Sequence, residues 1–261
     1  MVNHAGLINP LNGIVKFDFG HLLMQTVETE SVYSINVPIR KKYMSTTSTK
    51  PGPAQTIKLH RSAISGHSHR VELFMSLLGV PVALLNVDLM SGAHKKPDFL
   101  AMNPFGQVPV IEDGDVTLAD SNAILVYLAR RYAQDTERWL PSDPLAAARV
   151  QRWLSVAAGP LAFGPSAARV IQLFKSPANP DEAIARAHAL FKVMEQQLAS
   201  SAFLTGDTAT LADIANYSYT ARAPEGNVSL DAYPNVRAWL ARIEALPRFV
   251  PMVKSPIGLA A

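Results

Sequence analysis

The sequence predicts an α/β domain followed by an all-helical one, and three observations carry that reading. Ala101–Tyr132 (AMNPFGQVPVIEDGDVTLADSNAILVYLARRY) parses as a strand, a tight turn, a second strand and an amphipathic helix. Ahead of it, strand and helix patterns alternate, so that residues 56–133 read β-α-β-α-β-β-α. From Asp143-Pro144 onward, over residues 143–252, only helical patterns recur. The chain has 261 residues, enough for one large or two small domains, with ample material for a core.

Thr56–His60 (TIKLH) is β-branched and alternating, as a half-buried strand is. Ser68–Leu78 follows the helical period and is closed by Gly79 as its C-cap. Val82–Val87 is a second strand. The polar segment Asp88–Pro97 leads into a short helix near Asp98–Met102. Val108–Ile111 and Val116–Ala119 are the strands of a hairpin around Asp113-Gly114. Asp120 stands where a helix N-cap belongs, because its carboxylate can accept the orphan amides of the first turn. Ile124, Leu125, Leu128 and Ala129 then recur at the helical period as a buried face. That order, with a proline before the third strand, resembles a thioredoxin-like domain ending near Tyr132.

Ala133–Ser142 reads as a linker. Asp143-Pro144 opens a helix as N-cap and N1 proline, running to about Ala158. Leu161–Lys175 is another, interrupted by Gly164-Pro165. Asn179-Pro180 starts a third, through Leu198. Thr210-x-x-Asp213 is a capping-box pattern, with Asp in place of Glu or Gln, and begins a helix to about Ala221. Tyr233–Leu246 is the last. No internal repeat is visible.

Residues 1–55 differ from the rest. Their apolar residues keep no sustained period, and Ser45–Gln55 (STTSTKPGPAQ) is a polar linker. Two readings stand: a targeting or regulatory arm built on Arg40-Lys41-Lys42, or a disordered extension ahead of a natural start at Met44. The second is preferred.

Composition excludes several function classes. The chain is 48% apolar and 17% charged, ordinary for a soluble globular protein. No apolar run reaches the ~18 residues of a spanning helix, and no secretory h-region is present, so a cytoplasmic protein is expected. Cysteine is absent, which removes disulfides, thiolate metal sites and catalysis by a protein thiol. The net charge is +3, with five Lys/Arg against three Asp/Glu in residues 1–55 and nineteen against eighteen elsewhere. Nothing there forms a basic patch interleaved with aromatics, so nucleic acid is not the expected partner.

Two details carry chemistry. A cis Val108-Pro109 bond would aim the Val108 amide and carbonyl outward, where an extended peptide could pair with them as an added strand. Asp120-Ser121 offers a hydroxyl, free backbone amides and a helix N-terminus, a good place for a carboxylate. Together they point to a small acidic peptide as ligand.

Asn103-Pro104, Gly106-Gln107-Val108-Pro109 and Asp120-Ser121 resemble the glutathione-binding half of the glutathione transferase family, whose pattern is N-P-x-G-x-V-P-x-L followed by [DE]-S before a helix. Ile111 replaces the usual leucine. The resemblance spans roughly residues 56–252 and implies the glutathione transferase architecture, a thioredoxin-like domain followed by an all-α helical bundle. The Thr210–Asp213 box also matches a structural capping motif of that family.

The resemblance implies site residues one by one. Ser65-Gly66-His67-Ser68-His69-Arg70-Val71 aligns with the theta- and zeta-like classes so that Ser65 takes the place of their active serine, its hydroxyl donating to the glutathione sulfur. No tyrosine occurs in this loop. Where the zeta pattern has a second serine and a cysteine, this chain has Gly66 and His67, which argues against a maleylacetoacetate isomerase. His67 and His69 are alternatives to Ser65, able to stabilise a thiolate as imidazolium, or else bland exposed residues of a first helical turn.

His94, in a delta-like Gly92-x-His94-x-x-Pro97-x-Phe99 pattern, falls near the glycine end of glutathione, with Lys95 beside it. Gln107 is a side-chain contact to the same end. Val108, with Pro109, pairs its backbone with the cysteinyl unit. Asp120 and Ser121 hold the γ-glutamyl group. The electrophile pocket is expected near Phe163, Arg169 and Tyr217, although core positions for Trp153, Phe163 and Tyr217 and a solvated Arg169 compete with that role. The resemblance implies a glutathione S-transferase acting on a small electrophile, homodimeric, with glutathione as co-substrate and no metal. A glutathione-dependent disulfide or peroxide reductase, or a non-catalytic binding module, are the alternatives on the same fold.

Overall fold

The computed structural model describes residue 50 and residues 52–260. Arg40-Lys41-Lys42, Met44 and most of the expected extension lie outside the described residues. Within it, Lys50 is tied down: its amide bonds the Gln134 side chain and its Nζ donates to the Arg130 carbonyl.

The strands β1 (Ile57–Arg61), β2 (Val82–Asn86), β3 (Val110–Asp113) and β4 (Val116–Ala119) form one sheet in the order β2-β1-β3-β4. β1 runs parallel to β2 and antiparallel to β3, and β3 and β4 make the hairpin. Side chains alternate across a sheet, so Ile57 and Leu59 share one face and are fully buried. His60 points to the other, where its ring meets Phe99 of α2 (Pro97–Met102) edge-on at 6.5 Å. The helix α1 (Gly66–Leu78) packs on β1 and beside α3 (Ser121–Tyr132).

β3 begins at Val110, two residues later than the sequence suggests, because Pro109 has no N–H to give a ladder. The loop of the hairpin is Gly114-Asp115, since Asp113 pairs with Val116. Both Tyr127 and Tyr132 donate their hydroxyls to the Asp113 carboxylate, which pins the hairpin tip to α3.

The expected linker after Tyr132 contains a short helix, α4 (Thr136–Trp139), capped by Asp135. Trp139 anchors it, edge-on to Phe74 at 5.1 Å. Gly164-Pro165 does not break the next helical run. It lies in a π-helical stretch, Ala162–Ser166, that joins α5 (Pro144–Ala158) to α6 (Ala167–Phe174). A widened turn tolerates the missing proline N–H without ending the helix. The whole run, Pro144–Phe174, is long and apolar enough to cross a bilayer, yet Val150, Trp153, Leu154 and Ala157 on it are buried in the protein's own core.

The hairpin of α5–α6 and α7 (Pro180–Leu198) leads to α8 (Leu211–Ala221) and α9 (Pro234–Glu244). The helix α8 is the hub, packed on α5, α1 and α3, with every residue from Leu211 to Thr220 buried. Its capping box is complete: Thr210 Oγ1 accepts from the Ala212 amide and Asp213 Oδ2 accepts from the Thr210 amide. Asp213 Oδ1 also accepts from the Leu204 amide and Trp239 Nε1, both at 2.9 Å. One apolar core runs through both halves, from Ile57, Phe74 and Ile124 to Leu154, Ile214 and Trp239.

Candidate active site

The loop between α2 and β3 is built by Asn103. Its Oδ1 accepts from the Phe105 amide at 3.1 Å and its Nδ2 donates to the Gln107 carbonyl at 2.8 Å. Lys95 closes the other side, its Nζ donating to the Phe105 and Gly106 carbonyls at 3.2 and 3.1 Å. Gln107, Val108 and Pro109 at the end of this loop form one wall of a cavity of about 760 Å³. Asp120 and Ser121 form another, and His67, His94 and Lys95 also line it. The Val108-Pro109 bond is cis, and the ladder starts only at Val110, so the sheet makes no use of the Val108 N–H and C=O. His94 Nδ1 is buried without a partner among the described residues. The cavity thus gathers all seven residues named above for the peptide ligand, from His94 to Ser121.

At the N-terminus of α3, Asp120 has φ +70°, a conformation uncommon outside glycine. Its Oδ1 holds the turn by accepting from the Asn122 and Ala123 amides, each at 2.9 Å. Ser121 Oγ accepts from Arg70 Nη1 at 3.3 Å and lies 3.2 Å from His67 Nδ1. Arg70 Nη1 also donates to Asn122 Oδ1, and Asn122 Nδ2 to the Leu154 carbonyl of α5. Arg70 is fully buried with no carboxylate in ion-pair contact among the described residues, and its Nε and Nη2 lack partners there. Burial lowers its guanidinium to about 10. An unmatched buried cation behind a helix N-terminus makes this end of the cavity attractive to an anion.

Ser65 is not in the cavity wall. It is the N-cap of α1, two residues before His67, and its Oγ accepts from the Ser68 amide at 3.2 Å. The preceding turn closes through the Ser65 amide on the Ser62 carbonyl at 3.0 Å. A cap of this kind uses a lone pair of the hydroxyl oxygen and leaves its proton free to donate. Against Gly66 lies the ring of Tyr219 from α8: a Cβ there would sit 2.7 Å from it, so only glycine fits.

Neither histidine of the first turn is exposed. Burial, then the nearby Arg70, push His67 down to about 3, and its ring meets Tyr219 edge-on at 5.1 Å. His69 bonds Ser218 Oγ and the Val250 carbonyl, and burial lowers it to about 4. Burial thus disfavours the imidazolium form at both positions.

The three residues expected at an electrophile pocket are not brought together. Tyr217 is a core residue, its hydroxyl donating to Glu244 Oε1 at 2.8 Å. Arg169 is neither solvated nor in a pocket but buried against Glu225. Phe163 alone is exposed, in an apolar cleft of about 550 Å³ between α5 and α7 that shares no lining residue with the cavity above. Sequence reasoning gave no role to Arg70, Asn103 or Tyr219. For Arg70 a signal existed: it falls three residues after His67 and four before Phe74, on the buried stripe of α1.

Comparison with known proteins fits this geometry. Residues 58–130 match the profile of the Glutathione S-transferase, N-terminal domain, and residues 157–247 that of the C-terminal domain. Glutathione S-transferase 3 of Zea mays is 37% identical over 206 residues, covering 74% of this chain and 91% of that protein. Glutathione S-transferase theta-2B of Homo sapiens is 33% identical over 198 residues, covering 72% and 81%. The crystal structure of a glutathione S-transferase from Pseudomonas fluorescens superposes with a TM-score of 0.72 at 34% identity, covering 77% of this chain and all of that one. A mixed four-stranded sheet with a cis-proline at the mouth of a peptide-sized cavity, followed by a helical half, therefore belongs to a chain of the glutathione S-transferase family.

Proposed function

We propose that this chain binds glutathione in the cavity between the Asn103–Pro109 loop and the N-terminus of α3, and joins it through its sulfur to a small electrophile. The observation that carries this is the pairing of two readers in one cavity. The unused backbone of Val108 can bond the cysteinyl unit as an added strand. Asp120 and Ser121, over the buried Arg70, match the ammonium and carboxylate of a γ-glutamyl group. His94, Lys95 and Gln107 stand at the other end, for the glycyl carboxylate.

An ordinary thiol has a pKa of about 8.5 and is mostly protonated at neutral pH. The free proton of Ser65 and the N-terminal end of α1 both favour the thiolate. The thiol proton leaves to solvent, the sulfur forms its bond to the electrophilic carbon, and the leaving group departs with the bonding pair. Positioning and thiolate stabilisation supply the acceleration. Calorimetry with glutathione at millimolar concentration tests binding, and its absence there would leave only a non-catalytic module. Turnover of an aryl halide against that of hydroxyethyl disulfide separates transferase from reductase.

We also assign the chain to the cytoplasm and to a homodimer. Two exposed apolar features support the second copy: Phe105 on the site loop, 81% exposed, and the α5–α7 cleft lined by Trp153, Val156, Phe163, Leu190 and Val193. Exposed apolar surface of this kind marks an interaction face.

A further inference from the structure

Arg169 projects from α6 and is 1% exposed. Its Nε donates to Glu225 Oε2 at 2.6 Å, its Nη2 to Ser255 Oγ at 3.2 Å, and its Nη1 to the Ile64 carbonyl at 2.7 Å. Glu225, 2% exposed, lies in the 3₁₀ turn Ala223–Gly226, and its Oε1 accepts from the Ser255 amide at 3.1 Å. That turn sits directly on α6, for a Cβ at Gly226 would come 2.6 Å from the Arg169 nitrogen. Two arms of the guanidinium fork thus stay inside the helical half. The third crosses to the α/β half and ends on the carbonyl immediately before Ser65.

That carbonyl needs a donor. The turn over residues 62–65 closes through the Ser62 carbonyl and the Ser65 amide, and makes no use of Ile64. An unpaired carbonyl there would leave the turn free to rotate the peptide that enters the N-cap. An ion pair with Glu225 does not by itself account for an arginine, because buried pairs are replaceable by apolar residues at little cost in stability. Only a rigid fork meets three partners in three directions at once.

We propose that Arg169 is a positioning residue for the thiol chemistry. By holding the Ile64 carbonyl it fixes the turn that aims the Ser65 hydroxyl, so the helical half sets part of the thiolate's stabilisation. This rests on the role proposed for Ser65.

The test is the double variant R169M/E225Q, in which the charges of Arg169 and Glu225 leave together, while Arg222, whose Nε lies 3.5 Å from Glu225 Oε1, keeps a neutral amide oxygen in place of the carboxylate. Its midpoint in urea should stay near that of the parent protein. The pKa of bound glutathione, read by thiolate absorbance against pH, should rise, and kcat with an aryl halide should fall by about ten- to a hundred-fold, the cost of a small misplacement at a reacting group. The dissociation constant of glutathione should stay within about twofold, since Val108, Asp120 and Ser121 are untouched. If the double variant does not fold, R169K gives the same readout, keeping a cation by Glu225 without a fork to reach Ile64. A parental thiol pKa and kcat in the folded variant would overturn the proposal. Ser65→Ala, run beside it, separates the causes. If it shifts the thiol pKa while R169M/E225Q does not, only the role of Arg169 falls. If it shifts nothing, the Ser65 reading falls and takes this inference with it.

Discussion

A hydroxyl at a helix N-cap has one proton to give, and the fate of that proton at Ser65 decides its role. Ser65→Ala should raise the pKa of bound glutathione and lower turnover on the order of 10²–10³, the usual cost of one lost donor to an anion. Loss of the cap adds about 1 kcal/mol of destabilisation, so the assay belongs well below the melting range. Ser121→Ala should do the reverse, weakening glutathione binding by calorimetry while the thiol pKa stays put. Unchanged pKa and turnover in Ser65→Ala would remove it from the chemistry. That the residues from His94 to Ser121 would share one cavity was readable from sequence because most belong to a motif only a few residues long, a proline before a strand or an acidic cap before a helix. The places of Arg169 and Tyr217 were not, because the side of a helix that faces the core depends on partners 27 to 105 residues away. Arg169 finds Ile64 and Glu225, and Tyr217 finds Glu244.

Elements follow the same division. Helices with both a cap and a period, such as those opened by Asp143-Pro144, Asn179-Pro180 and Thr210, start where the sequence places them. The short α4 has neither the length nor the period to announce itself, and depends on Trp139 finding Phe74. The π stretch was hidden because Gly-Pro reads locally as a break, whereas packing on α7 holds the helix together across it. The capping box of α8 allows a graded test by urea unfolding. Thr210→Ala removes one acceptor and should cost about 1 kcal/mol. Asp213→Ala strands the Leu204 and Thr210 amides and Trp239 Nε1 together, and should cost more than about 3 kcal/mol. Equal losses in the two variants would show that the box is not the main tie.

For the whole molecule, the two buried histidines couple stability to pH. Burial lowers His69 to about 4 and His67 to about 3, from an ordinary value of 6.5, so the unfolded chain takes up protons that the folded one refuses. Stability should be full above about pH 6.5 and fall as the pH drops toward 4, by roughly 3 kcal/mol for His69 alone. Replacing His69 with Gln should flatten that part of the profile, and an unaltered slope would point to other groups. Phe105→Ser should shift the proposed homodimer toward monomer in light scattering at low protein concentration. The buried helix α8 touches α5, α1 and α3 at once and shows water none of its residues from Leu211 to Thr220. No local fraying can therefore lend its amides to solvent. In deuterium exchange they should be the last to label, with an opening free energy equal to that of global unfolding, while the loop at Phe105 labels within the earliest times, so that the ligand cavity breathes on a clock separate from the hub that supports it.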